Sequence, residues 1–190
     1  MVVQTAPPKL ATRLTYEQYR ALPENGNRYE VVQGELLMTA APLVSHQRIL
    51  RNLFSILDKH IAAKDWGEVY FAPIEIYLGD EDFVQPDLVC VAKSHLEIVK
   101  EKNIVGAPDL VVETLGVSPS TARTDRVLKM NTYARHHVPH YWIVDPAAQT
   151  LEAFEWNQGA YRLSAARAEA EDFAPILFPD LTIHLTDLWK

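Results

Sequence analysis

The chain has 190 residues, 48% of them apolar and 23% charged, with a formal net charge of −7. That is long enough for one sizeable core and short for two full domains, and it is too apolar for disorder. The acidic balance argues against a broad nucleic-acid-coating surface, though not against a local basic cleft. The single cysteine, Cys90, excludes an internal disulfide and suits a reducing compartment.

Residues 1–14 are Pro-containing and polar and read as a flexible tail. They show no charged region followed by an apolar run, as a secretory leader would. Nothing in the chain approaches the ~18 consecutive apolar residues that span a bilayer. These features lead us to expect a cytoplasmic protein with one domain over residues 15–190. Thr15 caps a short helix over residues 16–22, with Gln18 at the capping-box position. Asn25-Gly26-Asn27 signals a turn. Arg28–Val32 and Glu35–Thr39 flank Gln33-Gly34 as a hairpin.

Residues 40–44 connect to a helix that Ser45 caps and that runs to Lys64. Its apolar positions Ile49, Leu50, Leu53, Ile56, Leu57 and Ile61 recur at helical spacing, and Gly67 ends the region. Residues 69–78, β-branched and aromatic, read as one long strand. An acidic turn at residues 79–82 returns the chain to a second strand, residues 84–91, antiparallel to the first. Residues 94–105 form a connection with room for a short helix. Leu110–Thr114 is almost wholly apolar, as in a strand buried on both faces.

Ser118-Pro119-Ser120-Thr121 stops that strand and caps a helix to about His137, with Val127, Met130 and Ala134 available for packing. Residues 141–144 are another apolar strand, closed by Asp145-Pro146. Residues 150–156 pair with residues 161–164 across Asn157-Gln158-Gly159, and residues 175–190 read as a peripheral strand and short helix. The expected architecture is α/β: a mixed sheet flanked by helices, with an N-terminal hairpin and extra C-terminal strands.

Glu113 carries the chemical argument. A glutamate inside an apolar strand is seldom buried unless it is paired or bound to a metal. Mg²⁺ and Mn²⁺ take oxygen ligands and often need only one or two carboxylates. Asp87, on a neighbouring strand, can come level with Glu113, and the Thr114 carbonyl is a natural third ligand. Asp109 is a rival, but it lies four residues from Glu113, roughly 13 Å along an extended strand. Asp125, Lys129 and Tyr133 share one helix face at four-residue spacing. Lys129 is therefore the candidate cation, to position water or offset charge. Arg123, Arg126, Lys129 and Arg135 against the lone Asp125 give that helix a basic face, as a phosphate cleft would need. An ordinary solvated helix would look the same. His46, at the start of its helix, is a water-positioning group, a weak base or a surface histidine. Glu30 is a better candidate acid than Glu35, because it sits within an apolar pattern. His136-His137 has no third ligand near it in sequence.

These residues carry a resemblance. Pro86-Asp87, followed 26 residues later by Glu113, in a helix–strand–strand–strand–helix–strand order, resembles the PD-(D/E)XK nuclease superfamily. More narrowly, the chain resembles the Uma2-type (DUF820) restriction-endonuclease group. The matching stretches are Tyr29-Glu30-Val31-Val32-Gln33-Gly34-Glu35-Leu36, Ser45-His46-Gln47, Val84-Gln85-Pro86-Asp87-Leu88, Pro108-Asp109-Leu110-Val111-Val112-Glu113 and Ser118-Pro119-Ser120-Thr121. Asp125 with Lys129 and Tyr133 also matches, as does Val138-Pro139-His140-Tyr141-Trp142-Ile143-Val144-Asp145-Pro146. The resemblance spans about residues 15–156.

One position departs from the superfamily pattern. The usual lysine two residues after the glutamate is Leu115 here. The resemblance implies that the lysine comes from the following helix, which again points to Lys129. It also implies Mg²⁺ or Mn²⁺ as cofactor, with Asp87, Glu113 and Thr114 as ligands, and DNA as substrate. A nuclease of this size that cuts both strands works best as a homodimer. The alternative is a catalytically silent module of the same fold that binds nucleic acid or protein.

Overall fold

The computed structural model describes residues 13–22, 28–39, 41–116 and 122–190. The expected turn at residues 25–27, the cap at 118–121 and most of the expected tail lie outside these. Helix α1 (Tyr16–Arg20) carries the expected capping box between Thr15 and Gln18. Arg13 and Leu14, read as part of the tail, are docked: Leu14 N–H donates to the Gly34 carbonyl, and Arg13 pairs with Glu81. Strands β1 (Arg28–Val32) and β2 (Glu35–Thr39) form the hairpin. Its turn residues Gln33 and Gly34 both have positive φ, 57° and 77°, which matches the twist of a two-residue hairpin.

Helix α2 runs Val44–Lys64 and buries Ile49, Leu50, Leu53, Leu57 and Ile61 of the expected stripe, while Ile56 is only half-buried. Its start differs from expectation. Leu43, not Ser45, is the N-cap, and no side chain caps the helix. Its end is the left-handed residue Asp65; Gly67 instead opens β3 (Gly67–Phe71). There a Cβ would lie 2.1 Å from the Val91 carbonyl oxygen, so only glycine fits.

The two long strands expected at residues 69–78 and 84–91 are each two strands. The first divides into β3 and β4 (Ile76–Gly79), the second into β5 (Asp82–Val84) and β6 (Leu88–Ala92). The breaks fall at Pro73 and Pro86, where the missing N–H ends the ladder. The expected antiparallel pairing holds on both sides of the break, β3 with β6 and β4 with β5. The halves belong to different sheets. One sheet has the order β2-β1-β5-β4-β7, where β7 is Ile104–Val105. The other runs β11-β10-β9-β8-β6-β3, with β8 at Leu110–Thr114, β9 at His140–Asp145, β10 at Thr150–Asn157 and β11 at Ala160–Ala168. In the six-stranded sheet β8 and β9 are parallel and the other pairs antiparallel, so the sheet is mixed, as expected.

Alternation divides the apolar residues of this sheet between its faces. Leu88, Cys90, Leu110, Val112, Trp142 and Val144 face α2. Val89, Val91, Val111, Tyr141 and Ile143 face the other way, onto Val32, Ile76, Val84, Ile104 and Tyr133. The C-terminal segment is not peripheral. It forms β12 (Asp172–Phe173), β13 (Ile183–His184) and α4 (Thr186–Trp189). Phe178, Leu181, Ile183, Leu185 and Leu188 complete the α2-side core. The sheet offers α2 more apolar surface than one helix covers, and this segment takes the rest.

The helix expected at residues 121–137 contains a π segment, Thr124–Lys129, before α3 (Met130–Arg135). The wider turn changes the helical phase. Ala134 is buried as expected, but Val127 is left exposed. No helix among the described residues is long and apolar enough to cross a membrane.

Candidate active site

Asp87 sits where its chain crosses from one sheet to the other, between β5 and β6. The β6–β8 register pairs Leu88 with Val112 and Val89 with Val111, so one step further brings Asp87 level with Glu113. Both belong by alternation to the face of Val89 and Val111, opposite α2. Asp87 Oδ2 accepts a hydrogen bond from Thr114 N–H at 2.8 Å and lies 3.0 Å from His46 Nε2. Oδ1 lies 3.4 Å from Arg28 Nη1. Burial opposes ionisation of Asp87, but His46, Arg28 and the Thr114 N–H outweigh it and hold the carboxyl below its ordinary value.

His46 enters from the first turn of α2, and its Nε2 also lies 3.1 Å from the Thr114 carbonyl. A carbonyl only accepts, so Nε2 carries the proton and bridges Asp87 and Thr114. Burial pulls the imidazole down, and these partners more than reverse that, leaving its pKa raised.

Glu113 lies at the centre of a second cluster. Lys129 Nζ and Tyr133 OH both donate to its Oε1, each at 2.9 Å. The same ammonium is 2.9 Å from Glu30 Oε1 and 3.6 Å from Asp125 Oδ1. Glu30 also accepts the Gln85 N–H at 2.7 Å, which ties β1 to the segment before Asp87. Burial raises the Glu113 pKa well above the usual range; Lys129 opposes this, and Asp125, Asp87 and Glu30 add to it. Asp125 is pushed up to about 6, by burial and by Glu30 and Asp87 against the pull of Lys129.

Arg28, Glu30, His46, Asp87, Glu113, Asp125 and Lys129 line one cavity of about 550 Å³. Its outer wall is apolar, with Leu37, Met38, Pro42 and Leu43, and the uncapped N-terminus of α2 borders it. Orphan N–H groups at such a terminus attract anions. Three buried polar atoms of its lining residues, Arg28 Nε, His46 Nδ1 and Thr114 Oγ1, have no partner among the described residues.

The donor set suits a hard divalent cation. Among the described residues no three His, Cys, Asp or Glu side chains form a ready metal cluster. Mg²⁺ does not need one, since one or two carboxylates, a carbonyl and water suffice. Asp87, Glu113 and the Thr114 carbonyl would be the ligands. His46 Nε2 spans two of these oxygens, so an ion binding both must share or displace that imidazole. A divalent charge would also oppose the burial and the neighbouring carboxylates that raise Glu113 and Asp125.

Asp87, Glu113, Thr114, Lys129, His46 and Glu30 are thus brought together. The rival Asp109 is not among them: it accepts from Ala92 N–H at 2.7 Å and lies 2.8 Å from His95 Nδ1. Glu35 is exposed on β2. His136 instead pairs with Asp82, and the His137 ring packs at a tilt against Trp156. Three of the four residues of the expected basic face, Arg126, Lys129 and Arg135, are paired with acids. Lys129 is enclosed by acids, Arg126 pairs with Glu152 and Asp145, and Arg135 with Asp82. Arg28 was not singled out from the sequence. Its place two residues before Glu30, on the same strand face, was the available signal.

A model of the Uma2 family, described as "Putative restriction endonuclease", matches residues 16–186. An uncharacterized protein of Synechocystis (sll1609) is 24% identical over 157 residues, covering 82% of this chain and 85% of its own. A crystal structure described as a putative nuclease belonging to DUF820, from Anabaena variabilis, superposes with a TM-score of 0.76 at 19% identity. That match covers 93% of this chain and 97% of the other, and shows a shared fold.

Proposed function

Because the chain belongs to the Uma2 family, and is on that ground a nuclease, we propose that it is an endonuclease that hydrolyses DNA phosphodiester bonds with one Mg²⁺ or Mn²⁺. The observation that carries this is the meeting in one cavity of Asp87, at the bend before β6, Glu113, on β8, and the buried ammonium of Lys129. When bound, the ion acts as a Lewis acid on a phosphate oxygen and lowers the pKa of a water. Asp87, Glu113 and the Thr114 carbonyl hold it. Arg28 and His46 keep the Asp87 carboxylate ionised and oriented. Lys129 offsets charge that develops on the phosphate, and Glu30 fixes the ammonium in place. The α2 N-terminus gives a neighbouring phosphate a place to rest.

The reading extends to one nuclease domain over residues 15–190 and to a homodimer, since two antiparallel strands are met symmetrically by two copies. A cytoplasmic location suits the lone, buried Cys90. A binding module without chemistry has no use for this cluster, because buried ionised groups cost stability.

The test is cleavage of supercoiled plasmid with Mg²⁺ or Mn²⁺. Asp87→Asn and Glu113→Gln should each lower the rate on the order of 100-fold or more. Equal cleavage by wild type and both variants, or none by wild type with any divalent ion, would overturn the proposal.

A further inference from the structure

Arg28, His46 and Lys129 are the basic side chains of the cavity, and they differ in how many donors they have spent. Lys129 sits in a nest of acids. An ammonium carries three donors, and Glu30 and Glu113 oxygens lie at 2.9 Å and Asp125 at 3.6 Å, with 4% of the lysine side chain exposed. It has no hydrogen left for a substrate. His46 Nε2 is committed to Asp87 and the Thr114 carbonyl.

Arg28 is the exception. A guanidinium has five N–H donors in a planar fork. Among the described residues this one makes a single polar side-chain contact, from Nη1 to Asp87 Oδ1 at 3.4 Å. Charged N–H donors usually approach a carboxylate to about 2.7–2.9 Å, so even that contact is loose. Its Nε is buried without a partner, while 23% of the side chain stays open. The position is also suitable. Arg28 opens β1 two residues before Glu30, so alternation puts both on one strand face. It approaches Oδ1 of Asp87, whereas His46 and the Thr114 N–H take Oδ2. Unspent donors thus lie beside the carboxylate at the centre of the site. A phosphodiester has two non-bridging oxygens, and a guanidinium can meet such a pair with two parallel N–H bonds. An ammonium meets it only as a point charge.

We propose that Arg28 grips the scissile phosphate, with its fork on the two non-bridging oxygens. This rests on the nuclease reading above. The two permanent cations of the cavity then divide the work: Lys129 acts through its field from inside the nest, and Arg28 touches the substrate.

The experiment separates grip on DNA from support of Asp87. Affinity for a short labelled DNA duplex is measured by fluorescence anisotropy over a range of salt, with Ca²⁺ present and the DNA recovered intact. Mn²⁺ affinity is measured by calorimetry without DNA. Arg28→Met should weaken DNA binding about tenfold or more. It should also make the slope of log affinity against log salt shallower by about one. Asp87 keeps its closer contacts with His46 and the Thr114 N–H, so Mn²⁺ affinity should stay within about threefold of wild type. Arg28→Lys keeps the charge and loses the fork; it should restore the salt slope and still bind DNA several-fold more weakly than wild type. Unchanged DNA affinity in Arg28→Met would overturn the inference. So would a larger fall in Mn²⁺ affinity, which would make Arg28 a support of Asp87, and so would full wild-type affinity in Arg28→Lys. If Arg28→Met does not fold, Arg28→Lys carries the same test. No DNA binding by wild type, and no cleavage with any divalent ion, would remove the nuclease reading itself and this inference with it.

Discussion

At Asp82 three donors converge on one buried carboxylate. Gln33 N–H reaches Oδ1 at 2.7 Å, and Arg135 and His136 reach Oδ2 at 2.6 and 2.7 Å. Burial opposes ionisation, but His136, Gln33 and Arg135 outweigh it, and the pKa is lowered. A carboxyl depressed in the folded state contributes stability that is fully present above its unfolded value and is lost as pH falls through its folded one. The Asp82 contribution, read as the difference in stability between wild type and Asp82→Ala, should therefore hold from neutrality to about pH 5 and fall below it. Asp82→Ala should cost about 3 kcal/mol at neutral pH and flatten that acid slope, as chemical denaturation across pH would show. Tyr133→Phe removes one of the two bonds on Glu113 Oε1. It should cost about 1 kcal/mol of stability and leave DNA cleavage measurable. Glu113 could be picked out from sequence because a carboxylate in an apolar strand stands out against its neighbours. Arg28 could not, because an arginine opening a half-exposed strand looks ordinary until the cavity behind it is seen.

Helices and strands show where local pattern suffices. The α2 stripe was legible, since apolar residues repeat at helical spacing from Ile49 to Ile61. The four short strands β3 to β6 were read as two, because strand-forming residues lie close on both sides of Pro73 and Pro86 although the sheet changes there. Nothing in residues 175–190 reveals that they fill the core, since their apolar residues follow no regular period and are recruited by the sheet. Removing residues 175–190 should therefore be severe. Four residues buried there, Phe178, Ile183, Leu185 and Leu188, are essentially inaccessible, and each contributes about 1.5–3 kcal/mol. Asn52 Nδ2 also loses its bonds to the carbonyls of Asp187 and Leu188. A chain ending at residue 174 should lack a cooperative thermal transition by circular dichroism.

For the molecule as a whole, the site joins what the sequence keeps apart: the β1–β2 hairpin, α2, the crossing before β6, strand β8 and the π segment. Residue chemistry and spacing singled out residues 30, 46, 87, 113 and 129 one by one, but no local pattern shows that all five share a cavity, and the resemblance was what grouped them. Binding there should brace both sheets together. At a hundredfold excess over its dissociation constant, Mn²⁺ should add about 2.7 kcal/mol, or roughly 5–10 °C in melting temperature for a chain of this size. Differential scanning calorimetry should show that gain in wild type and its loss in Asp87→Asn. The lysine nest has a cost as well. Well-packed apolar replacements of such ionic clusters often gain about 1–4 kcal/mol. Laboratory evolution that rewards heat resistance alone should therefore discard Glu30, Glu113, Asp125 and Lys129 early, and its winners would be sturdy, inert scaffolds.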